Sequence, residues 1–168
     1  LPFLNENDII RARMINEKTT EALQKEVGEG YKGILYGGFM ATANGVKLIE
    51  YNARLGDPEA MNVLTILKTD IIDIFDSIGR GTLSELSIDF DNKATVCKYA
   101  VPKGYPDKPI KGKKIDITSV SNKDSLFFAS VDIEGDHLIE AGSRTVAMVG
   151  IANSISQAEK IAEKEISK

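Results

Sequence analysis

Leu35-Tyr36-Gly37-Gly38-Phe39-Met40-Ala41-Thr42-Ala43-Asn44-Gly45-Val46-Lys47-Leu48-Ile49-Glu50-Tyr51-Asn52-Ala53-Arg54-Leu55-Gly56-Asp57-Pro58-Glu59 is the stretch on which the reading of this chain turns. Asn44-Gly45 between two apolar runs is a strong hairpin signal, because both residue types tolerate positive φ. It predicts two strands, 33–42 and 46–52. Strand alternation then puts Glu50 and Asn52 on one face, about 7 Å apart along the strand. A carboxylate and an amide carbonyl suit a hard divalent cation such as Mg²⁺, which takes few protein oxygens and completes its shell with water and phosphates. Arg54 offers a guanidinium that can hold an anion bidentately. Asp57, Pro58 and Glu59 read as the cap, first position and first turn of a helix, whose N-terminal dipole favours negative charge. By spacing alone, E-x-N describes equally well a polar strand end running into a well-capped helix.

Working outward, the residues before the hairpin predict a helix capped by Asn7 or Asp8 and running to about Val27, where Gly28 and Gly30 stop it. Gly28-Glu29-Gly30-Tyr31-Lys32-Gly33 matches G-x-G-x-x-G literally, but a helix precedes it and a strand follows. A dinucleotide fingerprint needs the reverse order, so the match reads as a helix stop and turn. After Pro58 an apolar face formed by Met61, Leu64, Leu67, Ile71, Phe75 and Ile78 predicts one helix ended by Gly79 and Gly81.

Near residue 92 the pattern changes from helical to strand-rich, which marks a lobe boundary. Strands are expected at 93–101, 114–118, 125–132, 137–141 and 145–152. A Pro- and Gly-rich loop spans 102–109, and a tight turn spans Glu134-Gly135-Asp136. The last helix opens at Ser154, with Gln157 completing a capping-box pattern and Ile155, Ala158, Ile161 and Ala162 as its buried face. Cys97, inside an apolar strand with Lys98 on the opposite face, reads as a structural thiol. His137, beside Glu134 and Asp136, reads as a solvated turn residue.

Composition narrows the function classes. The 168 residues carry 21 Lys plus Arg against 25 Asp plus Glu, a net charge of −4, with no footprint for a nucleic-acid backbone. No apolar run approaches the roughly 18 residues of a membrane span. One cysteine makes no internal disulfide, which sets a reducing, cytoplasmic location as the expectation. One histidine excludes a His-rich zinc site, and a Ser-His-Asp triad would have to use His137. The chain opens Leu1-Pro2-Phe3-Leu4 without Met, and reads as a cut from a longer chain or a processed product.

The motif at Leu35–Met40 and the run Glu50-Tyr51-Asn52-Ala53-Arg54-Leu55-Gly56-Asp57-Pro58-Glu59 resemble the C-terminal part of the phosphoribosylamine–glycine ligase (glycinamide ribonucleotide synthetase) family of the ATP-grasp superfamily. The usual family wording is E-F-N-x-R-x-G-D-P-E, with Tyr51 here in place of Phe. Lys98-Tyr99-Ala100-Val101-Pro102-Lys103-Gly104-Tyr105-Pro106 is similar to the family's strand leading into a G-Y-P loop. Ala141-Gly142-Ser143-Arg144-Thr145-Val146 is similar to its G-G-R-V segment, with Ser143 where a second Gly is common.

The resemblance implies an α+β fold in two parts: residues 1–92 as the second half of an ATP-grasp domain, and 93–168 as a small mixed β/α C-terminal lobe. It implies ligation of 5-phosphoribosylamine and glycine, with ATP giving ADP and phosphate through a glycyl phosphate, in purine biosynthesis. Glu50 and Asn52 would hold the Mg²⁺ or Mn²⁺ that bridges the ATP phosphates, and Arg54, Asp57 and Glu59 would belong to the same site. The family's N-terminal part, which supplies most nucleotide contacts, would be a missing partner, leaving this chain inactive alone. Another ATP-grasp carboxylate–amine ligase, or a non-catalytic regulatory or binding domain, are the alternatives.

Overall fold

The computed structural model describes residues 3–168, and contacts divide it into two compact units. One runs up to Asp57 and adds Thr69–Ile88; the other joins Pro58–Lys68 to Asp89–Lys168.

The first unit opens with helix α1 (Glu6–Val27). Its cap is Asn5, one turn earlier than expected: Asn5 Oδ1 accepts the Asp8 amide at 3.0 Å while Asp8 Oδ2 accepts the Asn5 amide at 3.1 Å. This reciprocal pair satisfies two otherwise orphaned donors, which neither Asn7 nor Asp8 as cap would do. Gly28 ends the helix at φ +82°, as its glycine suggested. Strands β1 (Tyr36–Thr42) and β2 (Gly45–Asn52) form the antiparallel hairpin. The Thr42 hydroxyl donates to the Gly45 carbonyl at 2.7 Å and accepts the Asn44 amide, closing the turn.

The single helix expected after Pro58 is two. Helix α2 spans only Glu59–Leu64 and α3 spans Ile71–Arg80. Between them the backbone turns extended, because Leu67 bridges Phe90, the Lys68 amide bonds the Asp89 carbonyl and the Asp91 amide bonds the Ile66 carbonyl. Those cross-chain bonds take groups a continuous helix would use internally. Asp70 then restarts the helix, its carboxylate accepting the Ile72 amide at 2.8 Å. Phe75 of the expected apolar face is exposed, and Ile74, outside that expected face, is the buried residue of α3.

In the second unit, β3 (Ala94–Ala100), β8 (Val146–Ala152) and β5 (Leu126–Phe128) form an antiparallel sheet in the order β3-β8-β5. The 125–132 strand divides: β5 belongs to this sheet, while β6 (Val131–Glu134) joins β4 (Lys114–Ile115) and β7 (His137–Glu140) in a second sheet ordered β4-β7-β6. The division is anchored by the Ala129 and Ser130 amides, which bond the carbonyls of Thr145 and Arg144. The expected strand 114–118 stops at Ile115, because Asp116 turns to accept both the amide and hydroxyl of Thr118.

Helix α4 (Ile155–Ile166) lies on the first sheet, capped as expected by Ser154 accepting the Gln157 amide. Pairing of Val96 with Gly150, Lys98 with Met148 and Ala100 with Val146 puts these residues on one face, the face toward α4. A Cβ on Gly150 would lie 1.9 Å from the Ala158 carbonyl oxygen and 2.8 Å from the Ala162 nitrogen, so helix and strand touch backbone to backbone. Ala158 and Ala162 are buried there, but Ile155 and Ile161 are exposed, contrary to the pattern reading. Glu165 takes the buried place one turn beyond Ala162, bonding the Ser121 amide at 2.8 Å and the Lys168 ammonium. On the opposite face α2 covers one end, where the Thr95 hydroxyl donates to the Asn62 carbonyl at 3.1 Å. Covered on both faces, β8 is buried from Val146 to Gly150.

Candidate functional site

The sequence between two glycines of β1 and the end of β2 builds the site locally. Gly38 pairs with Glu50 and Phe39 pairs with Leu48, so Ile49 is an extra residue in β2, a β-bulge. Bulges re-aim the side chains that follow them and concentrate beside functional sites. After this one, Glu50 and Asn52 share a face, as strand alternation predicted. The Asn52 amide nitrogen donates to Glu50 Oε1 at 3.2 Å. A Cβ on Gly38 would meet Glu50 Cγ at 3.6 Å, so the residue opposite Glu50 offers no side chain to cover its carboxylate, and Glu50 is exposed.

Tyr51, between the two candidate ligands, ties their strand to α1. Its hydroxyl donates to Asn16 Oδ1 at 2.9 Å and lies 3.1 Å from Thr19 Oγ1. Thr19 in turn donates to the Ile15 carbonyl, so the three groups form a short network. Gly37 leaves room for it, since a Cβ there would stand 3.1 Å from Asn16 Oδ1. Sequence reading saw Tyr51 only as a departure from the family's Phe; the signal missed was the Asn16–Thr19 pair on one face of the preceding helix.

The other expected site residues are less closely grouped. Arg54 is exposed, and one guanidinium nitrogen is turned back onto the Leu55 carbonyl at 2.7 Å. Asp57 is exposed and does not hold the cap position of α2: Pro58 occupies it, with no side-chain capping bond. Proline fixes φ near that of a helix, which starts the short turn without a capping carboxylate. Glu59 is the first residue of α2 and half-buried; it belongs to the second unit, whereas Glu50, Asn52, Arg54 and Asp57 belong to the first.

As donors, one carboxylate and one amide carbonyl fit a cation that keeps waters and phosphates in its shell better than one demanding a full protein cage. Among the described residues no three His, Cys, Asp or Glu side chains are grouped as a metal cage. No helix among them is long and apolar enough to cross a membrane. The first unit also exposes much apolar surface: α1 has no buried residue, and Ile10, Met14, Ile15, Val46 and Leu48 line a groove of about 770 Å³ between α1 and β2.

Comparison with known proteins gives a consistent picture. Residues 1–60 match the ATP-grasp (A) domain of phosphoribosylglycinamide synthetase, and residues 95–168 match the C domain of the same enzyme. The phosphoribosylamine–glycine ligases of Methanococcus maripaludis (strain C7) and Methanocaldococcus jannaschii are each 52% identical to this chain. The alignments cover 99% and 98% of this chain but 38% and 37% of those proteins. The crystal structure of the Thermotoga maritima phosphoribosylamine–glycine ligase superposes with a TM-score of 0.82 at 27% identity, over 98% of this chain and 41% of that one. The chain thus spans under two fifths of the curated relatives' length, and it belongs to the phosphoribosylglycinamide synthetase family, with part of the ATP-grasp domain and the C domain.

Proposed function

We propose that this chain is the C-terminal part of an ATP-dependent carbon–nitrogen ligase that joins glycine to 5-phosphoribosylamine in the cytoplasm. In this reading a glycine carboxylate oxygen attacks the γ-phosphorus of ATP, and the bond to ADP breaks. The amine nitrogen of phosphoribosylamine then attacks the acyl carbon of glycyl phosphate. Phosphate leaves with the C–O bond pair, the nitrogen loses a proton, and the amide of glycinamide ribonucleotide remains. Such phosphoryl transfer depends on positioning and charge neutralisation rather than on a catalytic histidine.

The observation that carries the reading is the pair Glu50 and Asn52, set side by side beyond a bulge and opposite a bare glycine. Glu50 and Asn52 would hold Mg²⁺ or Mn²⁺, which supplies neutralisation of the ATP phosphate charge when bound. Tyr51 fixes the strand that carries them. Arg54 would leave the Leu55 carbonyl to take an anionic oxygen, and Asp57 and Glu59 would orient the amine. The 1–92 and 93–168 division is kept as the functional one: an ATP-grasp part and a C-terminal lobe.

An N-terminal part of such a ligase would supply the remaining nucleotide contacts and cover the apolar face of α1. The isolated chain should accordingly turn nothing over, because ordering three substrates costs more than so few contacts return. A coupled ADP-release assay with glycine and phosphoribosylamine tests the reading on the full-length parent protein. Turnover that requires both substrates supports it. ADP release indifferent to glycine, or turnover by the purified 168-residue chain alone, sinks it.

A further inference from the structure

From Lys103 to Lys114 the chain places Lys103, Lys108, Lys111, Lys113 and Lys114 against the single acid Asp107, a local excess of four positive charges. With −4 for the whole chain, everything outside this segment carries a net −8. The segment is held in place. The Lys108 amide bonds the Gly104 carbonyl at 2.8 Å, the Ile110 amide bonds the Lys103 carbonyl at 3.0 Å, and the Gly112 amide bonds the Glu140 carbonyl at 2.8 Å. Lys114 pairs with Ile139 in the second sheet.

Two glycines shape it. Gly104 has φ +88°, and a Cβ there would lie 2.2 Å from the Lys108 carbonyl oxygen. Gly142 has φ +96°, and a Cβ there would lie 2.5 Å from Lys111 Cε, so the Lys111 stem crosses bare backbone. That crossing brings Lys111 to the strand of chain leading into Arg144, whose guanidinium stands 5.3 Å from the Tyr99 ring centre. Among the described residues none of the five lysines meets a carboxylate. Lys68, Lys98 and Lys168 each do.

We propose that the Lys103–Lys114 segment, with Lys108 and Lys111 at its centre, is a recognition surface for the phosphate monoester of a sugar phosphate. The proposal rests on the ligase reading for the identity of that sugar phosphate, the ribose 5-phosphate moiety of the amine substrate. Positive charges gathered along one hydrogen-bonded backbone segment and outside any ion pair raise the local potential, and an anion relieves it. Lysine suits phosphate as a point charge. A nucleic acid is disfavoured as the occupant, because a polyanion needs a basic stripe and the surrounding chain is acidic.

The test follows amide and lysine side-chain NMR signals of the chain during titration with ribose 5-phosphate, inorganic phosphate and plain ribose. Saturable shifts confined to residues 103–114 and 142–144 are expected with both phosphates and not with ribose. In the Lys108→Gln, Lys111→Gln double variant, affinity should fall about 25-fold, roughly fivefold for each ion contact at about 4 Å in water, with an unchanged melting temperature. Shifts that never saturate, that spread to Lys18 and Lys160, or that survive the double variant overturn the proposal. The ligase reading fails separately. Saturable phosphate binding in a parent protein without ligase turnover leaves this surface standing, whereas turnover without phosphate binding at the segment removes it.

Discussion

Among the described residues, Val46 and Ile74 are the buried hydrophobic side chains of the first unit; Leu126, Ile139, Val146, Ala147, Met148, Val149, Ala158 and Ala162 are those of the second. Met148 and Val149 are almost wholly enclosed, and burying a side chain of that size stabilises by about 1.5–3 kcal/mol. In the first unit, α1 buries no residue along 22 and leaves Ile9, Ile10 and Met14 exposed. Yet the first unit carries Glu50, Asn52, Arg54 and Asp57. The unit that holds most of the candidate chemistry is held by hydrogen-bonding devices, namely a capping box, a hairpin turn and the Tyr51 hydroxyl's tie from β2 to α1. The unit with the basic segment is held by a core. The proposed site residues thus lie on the more open scaffold.

The strongest way to break this contrast is Gly150→Ala. The new methyl would be driven into the α4 backbone, and overpacking of that kind should cost about 3 kcal/mol or more. Chemical denaturation reads the loss, and hydrogen exchange should show β3 and β8 losing protection while β1 and β2 keep theirs. Equal loss in the hairpin would mean that the two units do not differ in what holds them.

Glu50→Gln should do the opposite in the full-length parent. It removes charge with little change of shape, so turnover should drop ~100-fold, with partial rescue at high Mg²⁺ and an unmoved melting curve. Asn52→Ala should follow in the same direction more weakly. A lowered melting temperature with near-normal turnover would make the pair structural.

Helix caps sharpen the comparison at a smaller scale. Asp70→Ala removes an observed capping bond and should cost about 1 kcal/mol, whereas Asp57→Ala removes no capping bond of α2 and should leave the start of that helix intact. Thermal melts read the Asp70 loss, and amide hydrogen exchange at residues 59–62 reads the start of α2; lost protection there in Asp57→Ala would restore Asp57 as a helix-starting residue.

The smallest effect expected is on acid stability. Lys98, bonded to Glu159 and Glu163, holds the Glu163 carboxyl below its ordinary range, with Ser167 adding to the effect. The Lys168 ammonium does the same for Glu165, the Thr118 hydroxyl for Asp116, and the Lys68 ammonium for Asp89. All four carboxylates lie in the second unit. A lowered folded-state pKa contributes stability that is present above the unfolded value, near 4.5 for Glu and 3.8 for Asp, and lost as pH falls through the folded one. The second unit should therefore lose stability below about pH 4.5, as urea unfolding between pH 6 and 3 would show. No loss over that window would deny these contacts any share in stability.

Much of this was legible in the residues. The Asn44-Gly45 hairpin, the Gly28 stop, the Ser154 cap and the shared face of Glu50 and Asn52 all rest on contacts a few positions apart, and each appears in the structure. The Glu50–Glu59 run carried the family resemblance, and the matches to both domains agree with it. The largest misreading has a non-local cause. The 58–78 helix broke because Ile66 to Lys68 found partners at Asp89 to Asp91, over twenty residues away. Periodicity within one segment carries no information about such a competitor.

The sequence by itself therefore determined the local pieces and the family: turn chemistry, caps and alternation act over three or four residues and are written in residue type. Tertiary structure alone decided the rest. It chose Glu165 over Ile155 and Ile161 for the buried side of α4, because the close approach at Gly150 admits only Ala158 and Ala162 there and leaves the next turn facing the Ser121 amide. It spread the 125–132 segment over two sheets, and it laid Lys111 across Gly142. Each of these is a competition for space or for a hydrogen-bond partner, and its winner is set by residues that come together only when the chain has folded.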